Sequence, residues 1–493
     1  MKKTLYIILI VLNLFLFALV VHCAVEHPSP NNYINELKFS KATNGSYYSI
    51  VDCIPGVEKE IEIPSSYENL PVTHIAANAF SKCSEIEEIM IPDSITVIEE
   101  NAFTGCDSLE KISVDKANDI YNSIFDCNAV IKTNSKTLIV GTSNTVIPEI
   151  VESIGNSAFK GRKGLTKVEL PKNVLSIGNE AFANCSNLTS FTLTKNISAL
   201  GDKIFAGCTS LSSLKVEEGN VKFNSRNNCN AIIDSNNKLL YGCSSTVVPS
   251  DVLEIGSNAF YGINRLSEIV LPNSVTSIGE YAFAGCSGLR NITLSETLMT
   301  IQNNAFEGCS SLTKFHLPKF AVLGEKVLLN CTGLTEITVS TENLKYDSRD
   351  NCNAIIDRQT NTILYACSTT TIPKSVEAIA PFAFASQKIS EIVLPKNIIL
   401  VNENAFNECS ILSKVVLLNK EVEIKNNAFK GCNAVERTYY FGDIVDWLSS
   451  SNNVSKLGNE SLYDTFFCYS ENEPTKEGDY WHYNEDGEIV DWK

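Results

Sequence analysis

The sequence predicts an α/β repeat solenoid, one chain wound into stacked turns with a continuous parallel sheet, short helical turns and a cap at each end. Three observations predict it. The stretch Ser274 to Leu289, SVTSIGEYAFAGCSGL, recurs in variant form along most of the 493 residues. Its phenylalanine recurs as Phe80, Phe103, Phe159, Phe182, Phe205, Phe260, Phe283, Phe306, Phe384, Phe406 and Phe429, with Leu328 in one unit. Short units of 22 or 23 residues are thereby interspersed with three long ones of 55 or 56. A fixed period of this size marks units that cannot bury an apolar face alone and must stack to do so. Between the markers lie runs such as LTKVEL, LSEIVL, LRNITL and ISEIVL, whose period-two alternation is that of a strand with one face in the core and one in water.

In chain order, Met1, Lys2 and Lys3 precede the apolar run Leu5 to Val21, the charged and hydrophobic regions of a secretory signal over residues 1–23. A lipid on Cys23 or an uncleaved span is the alternative, giving N-terminal membrane attachment. Residues 24–71 alternate without the marker and are expected to cap the first turn. Repeats follow over 72–436. A proline often closes the strand, as in Pro92, Pro171, Pro272 and Pro395. An aliphatic residue five before the marker, such as Ile75, Ile154 or Ile278, must face inward. Two residues after it stands Gly105, Gly161, Gly207, Gly262, Gly285, Gly308 or Gly431, or Asn184 or Asn330. Gly and Asn enter the left-handed conformation most readily, so a short helical turn is expected to end there. Residues 437–493 hold all three tryptophans, Trp447, Trp481 and Trp492, and are expected to cap the far end.

The series LSEIVLPNSVTSIGEYAFAGC resembles the BspA-like leucine-rich repeat surface proteins, and the long units, such as Glu217 to Pro249, resemble that family's extended unit. The likeness runs from about Ile61 to Val435. It implies a leucine-rich-repeat solenoid that is exported or held at the cell surface and adheres to host, extracellular-matrix or neighbouring-cell proteins.

Seventeen cysteines in an exported chain first suggest disulfides. Nine of them, Cys83, Cys106, Cys185, Cys208, Cys286, Cys309, Cys331, Cys409 and Cys432, stand three residues after the marker, and three units replace that Cys with Arg162, Ile263 and Gln387. Partners that vanish independently are poor disulfide partners, so free buried thiols are expected. No Cys or His pair has ligand spacing, so no metal site is expected. Five scattered histidines and no G-x-S-x-G, H-E-x-x-H or phosphate loop give no catalytic constellation, and no cofactor is implied. The net charge of −17 argues against nucleic acid as a partner.

In-register strands place equivalent outward residues in columns. One column includes Glu336, Glu391 and Lys414, and its neighbour includes Val393 and Val416, which makes the C-terminal third the stickiest part of this face. These five residues are the candidate binding site. The expected function is a non-enzymatic exported or cell-surface interaction protein that takes protein ligands on its sheet face. The alternatives are a secreted polysaccharide-binding protein or enzyme using the aromatic C-terminal segment, and a passive envelope spacer.

Overall fold

The computed structural model describes residues 36–56, 58–448, 454–475 and 478–492, so the expected signal over 1–23 lies outside them. The chain forms two compact units, Met1–Pro148 and Glu149–Lys493. Both are stacks of parallel strands with little helix.

In the first unit, the strands Leu37–Lys41 and Tyr48–Cys53 form an antiparallel hairpin. Its second strand pairs in parallel with Leu70–Ile75. The main ladder joins Glu60–Glu62, Glu88–Ile91 and Lys111–Val114 in parallel, with Ile61, Ile89 and Ile112 in one row. Alternation does what the sequence predicts: Ile89 and Ile91 are fully buried and Met90 between them is exposed. One expectation needs correction here. Cys53 and Cys83 are bonded to each other as a disulfide, so Cys83 is not a free thiol. Its partner comes from the hairpin, which carries no marker, and so escaped an argument built on the repeat columns.

In the second unit each short turn contributes two ladders. Glu268–Val270 pairs with Asn291–Thr293 on the main face, and Glu254–Ile255, Ser277–Ile278, Thr300–Ile301 and Val322–Leu323 stack on the other. The phenylalanines form a column in the core: Phe260, Phe283 and Phe306 are fully buried, with centroids 4.9 and 5.2 Å apart.

The expected helical turn is instead a pair of tight turns. Bonds of the i to i+3 type close them, Tyr261 N–H to Asn258 O at 3.1 Å and Ile263 N–H to Phe260 O at 3.1 Å. Every unit has a left-handed residue two before its marker, from Asn78 through Tyr281 (φ 54) to Asn427, and eleven of twelve have a second one two after it. Those conformations aim backbone N–H groups along the stack. Asn258, Phe260 and Gly262 donate to Glu280, Ala282 and Ala284 of the next turn at 2.9, 2.7 and 2.8 Å. A right-handed helix would spend the same groups within one turn. Gly262 is left-handed at φ 71, and a Cβ there would also sit 2.9 Å from Gly207 N.

The sheet is likewise built in stretches. At each long unit the chain leaves the main face and makes an antiparallel hairpin, Ala231–Asp234 with Lys238–Gly242 and Ala354–Asp357 with Thr362–Ala366 in this unit. A buried or half-buried asparagine fixes each exit. Asn220 Nδ2 donates to Thr194 O and Ile197 O at 3.1 and 2.9 Å, and its Oδ1 accepts from Lys222 and Phe223 N–H, both at 2.9 Å.

Candidate functional site

The last stretch of main sheet carries the candidate face. Glu391–Leu394, Lys414–Leu417 and Arg437–Tyr440 run parallel, with Glu391 opposite Lys414 and Val393 opposite Val416. The structure therefore brings Glu391, Val393 and Lys414 together. Glu336 belongs to another stretch, beside Lys314.

Charges on this face pair between neighbouring turns. Lys414 Nζ lies 3.0 Å from Glu391, and Lys314 Nζ lies 2.6 Å from Glu336. Because both pairs are at least partly exposed, they are worth little to stability, about 0–1 kcal/mol each, and remain open to exchange with a ligand. His316 Nδ1 and Thr338 Oγ1 add a cross-turn bond of 2.9 Å. Val393 is 39% exposed.

Val416 does not face solvent as expected. It is fully buried in one cluster with Tyr439 and Trp481. The chain beyond Tyr440 extends the same sheet with Phe466–Tyr469 and Tyr480–Tyr483 in parallel and Ile489–Asp491 antiparallel, and Trp481 from these strands packs with Tyr439 and Val416. Trp481 Nε1 donates to Tyr440 O at 3.1 Å, and Tyr439 Oη donates to Asp491 at 2.8 Å. Burial, helped by that carboxylate, pushes the Tyr439 hydroxyl up to about 12. Trp447 is also buried, packed on Phe466 with centroids 4.5 Å apart, whereas Trp492 stacks on His482 at 3.9 Å.

The apolar part of the face thus lies farther along the chain than Val416. Phe441, Phe467, Tyr469 and Ile489 pack against the Val416 cluster and remain part-exposed, and Tyr483 is 38% exposed. The runs RTYYF, FFCY and YWHY are rich in aromatic residues but lack the period-two alternation of the repeats, and Thr438, Tyr439 and Tyr440 are buried in succession. Their aromatic content was the available signal, and the repeat pattern ends before them.

The thiols do structural work. Eight marker-plus-three cysteines, from Cys106 to Cys432, each aim Sγ at the carbonyl of the marker phenylalanine one turn back, at 3.0 Å for Cys286 to Phe260 O and 3.5 Å at most. Fourteen of the described cysteines are free, and all are buried. Burial pushes the thiols of Cys185 and Cys286 up to about 12, which leaves them protonated and unreactive at neutral pH. Among the described residues no group of three or more His, Cys, Asp or Glu side chains is arranged to hold a metal ion, and no helix is long and apolar enough to cross a membrane.

Solved structures similar to this chain include a leucine-rich repeat protein from Bacteroides ovatus, with 21% identity, 86% of this chain and 98% of that chain covered, and a TM-score of 0.37. The pneumococcal vaccine antigen PcpA is 23% identical, with 85% and 96% covered and a TM-score of 0.44. A leucine-rich cell surface protein from Faecalibacterium prausnitzii is 20% identical, with 86% and 97% covered and a TM-score of 0.36. No curated protein sequence matches the chain. The BspA type leucine-rich repeat region matches residues 58–140, 140–238, 234–356 and 360–465. The column of stacked phenylalanines, the paired ladders and a family match over most of the sequence lead to one assignment: this chain belongs to the BspA type leucine-rich repeat family.

Proposed function

We propose that this protein is a non-enzymatic interaction protein, exported or held at the cell surface, that binds host, matrix or neighbouring-cell proteins on the outward face of its parallel sheet. One observation carries the reading: Glu391, Lys414 and Val393 stand in register on adjacent strands, with a breakable ion pair beside exposed apolar surface. A ligand on such a face lies across several turns and touches residues a full repeat apart. The disulfide between Cys53 and Cys83 supports export, because such bonds persist in oxidising compartments. The thiols elsewhere are compatible with export because they are buried and hydrogen-bonded.

The alternative, a polysaccharide-binding protein or enzyme using the aromatic C-terminal segment, would have to do without Trp447 and Trp481, which belong to the core. The test is a pull-down with residues 25–493 against matrix, serum and glycan panels. It is repeated with a variant carrying Glu336→Lys, Glu391→Lys, Lys414→Glu and Val393→Ser. Val416 is left unchanged because its replacement would open the core. A ligand retained at full strength by a variant whose circular dichroism is unchanged removes this face from consideration.

A further inference from the structure

The outward face of the final sheet changes character along the chain, from alternating ion pairs to aromatic rings. Tyr439, Phe441, Phe467, Tyr469, Trp481 and Tyr483 make it up, with Tyr439 and Trp481 buried and the other four at least partly exposed. Phe441 and Tyr469 stack at 4.5 Å, and Tyr469 and Tyr483 lie 6.2 Å apart. Ring faces of this kind attract cations, through the negative charge of the π face.

Two lysines of the same unit already use them so. Lys396 Nζ stands 4.6 Å from the ring centre of Phe441, and Lys414 Nζ stands 5.6 Å from that of Tyr439. Among the described residues no ammonium or guanidinium group lies over Tyr469 or Tyr483.

Beyond those two lysines and Arg437, which pairs with Asp491, the chain that carries most of the rings is acidic. Residues 441–493 carry twelve Asp and Glu against three Lys, a net of −9 out of −17 for the whole chain. Glu485, Asp486 and Glu488 are exposed in the turn that joins Tyr483 to Ile489, and Asp479 is exposed beside Tyr480. An aromatic surface fringed by carboxylates disfavours nucleic acid and sulfated or uronic polymers by repulsion. A neutral glycan would use the rings but leave the carboxylates without a role. A basic peptide uses both.

We propose that the Tyr469 and Tyr483 face, with the acidic turn 484–488, is a docking surface for an arginine- or lysine-rich segment of a partner protein. It extends the protein-binding reading to a second surface on other residues, so either can fail while the other stands. Cations entering over Tyr469 and Tyr483 repeat outside the chain what Lys396 and Lys414 do within it, and the carboxylates of the turn neutralise the remainder of the segment.

The probe is a labelled oligo-arginine peptide titrated into the purified full chain, with oligo-glutamate and a neutral cello-oligosaccharide as parallel arms. Oligo-arginine is expected to bind and the other two are not, with affinity falling as salt is raised. Tyr469→Leu and Tyr483→Leu, which keep apolar bulk and remove the π face, should each weaken oligo-arginine about two- to five-fold. The exposed triple change Glu485→Gln, Asp486→Asn and Glu488→Gln, which touches no core residue, should weaken it by about as much again. Oligo-arginine binding that ignores the ring changes and the turn changes is general attraction to an acidic chain and overturns the proposal. So does preferential binding of the neutral sugar, or no binding of oligo-arginine at all.

Discussion

Raising the pH should unfold this protein through its buried thiols, and Cys286 shows by how much. Its Sγ is fully buried and donates to Phe260 O at 3.0 Å, and burial lifts its pKa from the ordinary 9.0 to about 12. Above pH 9 the unfolded chain releases this proton while the folded chain keeps it, so the folded state binds more protons and stability falls as pH rises. The contribution is fully present below pH 9 and is lost progressively up to about 12. A displacement of this size amounts to roughly 4 kcal/mol over the whole window, with roughly 1 kcal/mol already gone one pH unit above its start. Cys185, bonded to Phe159 O at 3.0 Å and also shifted to about 12, acts in the same direction. Urea midpoints followed by circular dichroism at stepped pH should therefore fall steeply from pH 9 upward. Cys286→Ser keeps a donor that does not titrate in this range, and should make that fall shallower by about 1 kcal/mol per pH unit. A wild-type midpoint that is flat across the lower part of the window, or a Cys286→Ser slope equal to wild type, would refute the assignment of these thiols as protonated structural donors.

The remaining expectations concern the stack, the disulfide and the face. Phe283→Ala removes a buried ring sandwiched between two others and should cost about 3–5 kcal/mol, whereas Glu280→Ala on the exposed turn should cost under ~0.5 kcal/mol; equal thermal shifts would contradict the register. Denatured without reductant, the described cysteines should yield fourteen reactive thiols, and Cys53 and Cys83 should react only after reduction; native protein should react at few. Ser157 sits left-handed at φ 54 in the column that Asn78, Asn101, Asn258, Asn304, Asn404 and Asn427 occupy elsewhere, so Ser157→Asn should raise stability by up to about 1 kcal/mol, and a loss in thermal unfolding would speak against strain there. Lys414→Ala should weaken a sheet-face ligand by only about 0–1 kcal/mol, because its partner Glu391 is exposed and screened; a larger loss by calorimetry would mean that the pair is desolvated in the complex.

What the sequence determined on its own was the inward face of each repeat. Columns of Phe, Ile and Leu at a fixed period specify which side chains face inward, because a stacked turn has no other way to bury them, and Ile89, Phe283 and Leu289 are buried as that pattern requires. The left-handed residue two before each marker is an asparagine in half of the units, a signal passed over because a helical turn was read from the glycine that follows. Tertiary structure alone decided what depends on chain from outside the period. Val416 alternates as an outward residue should, yet Tyr439 and Trp481 arrive from later strands and cover it. Cys83 has the same place in its turn as Cys286, yet one is bonded to the N-terminal hairpin and the other donates to a carbonyl one turn back. Local spacing sets the direction in which a side chain points. What meets it there is set by distant segments, whose arrival leaves no mark in the repeat itself.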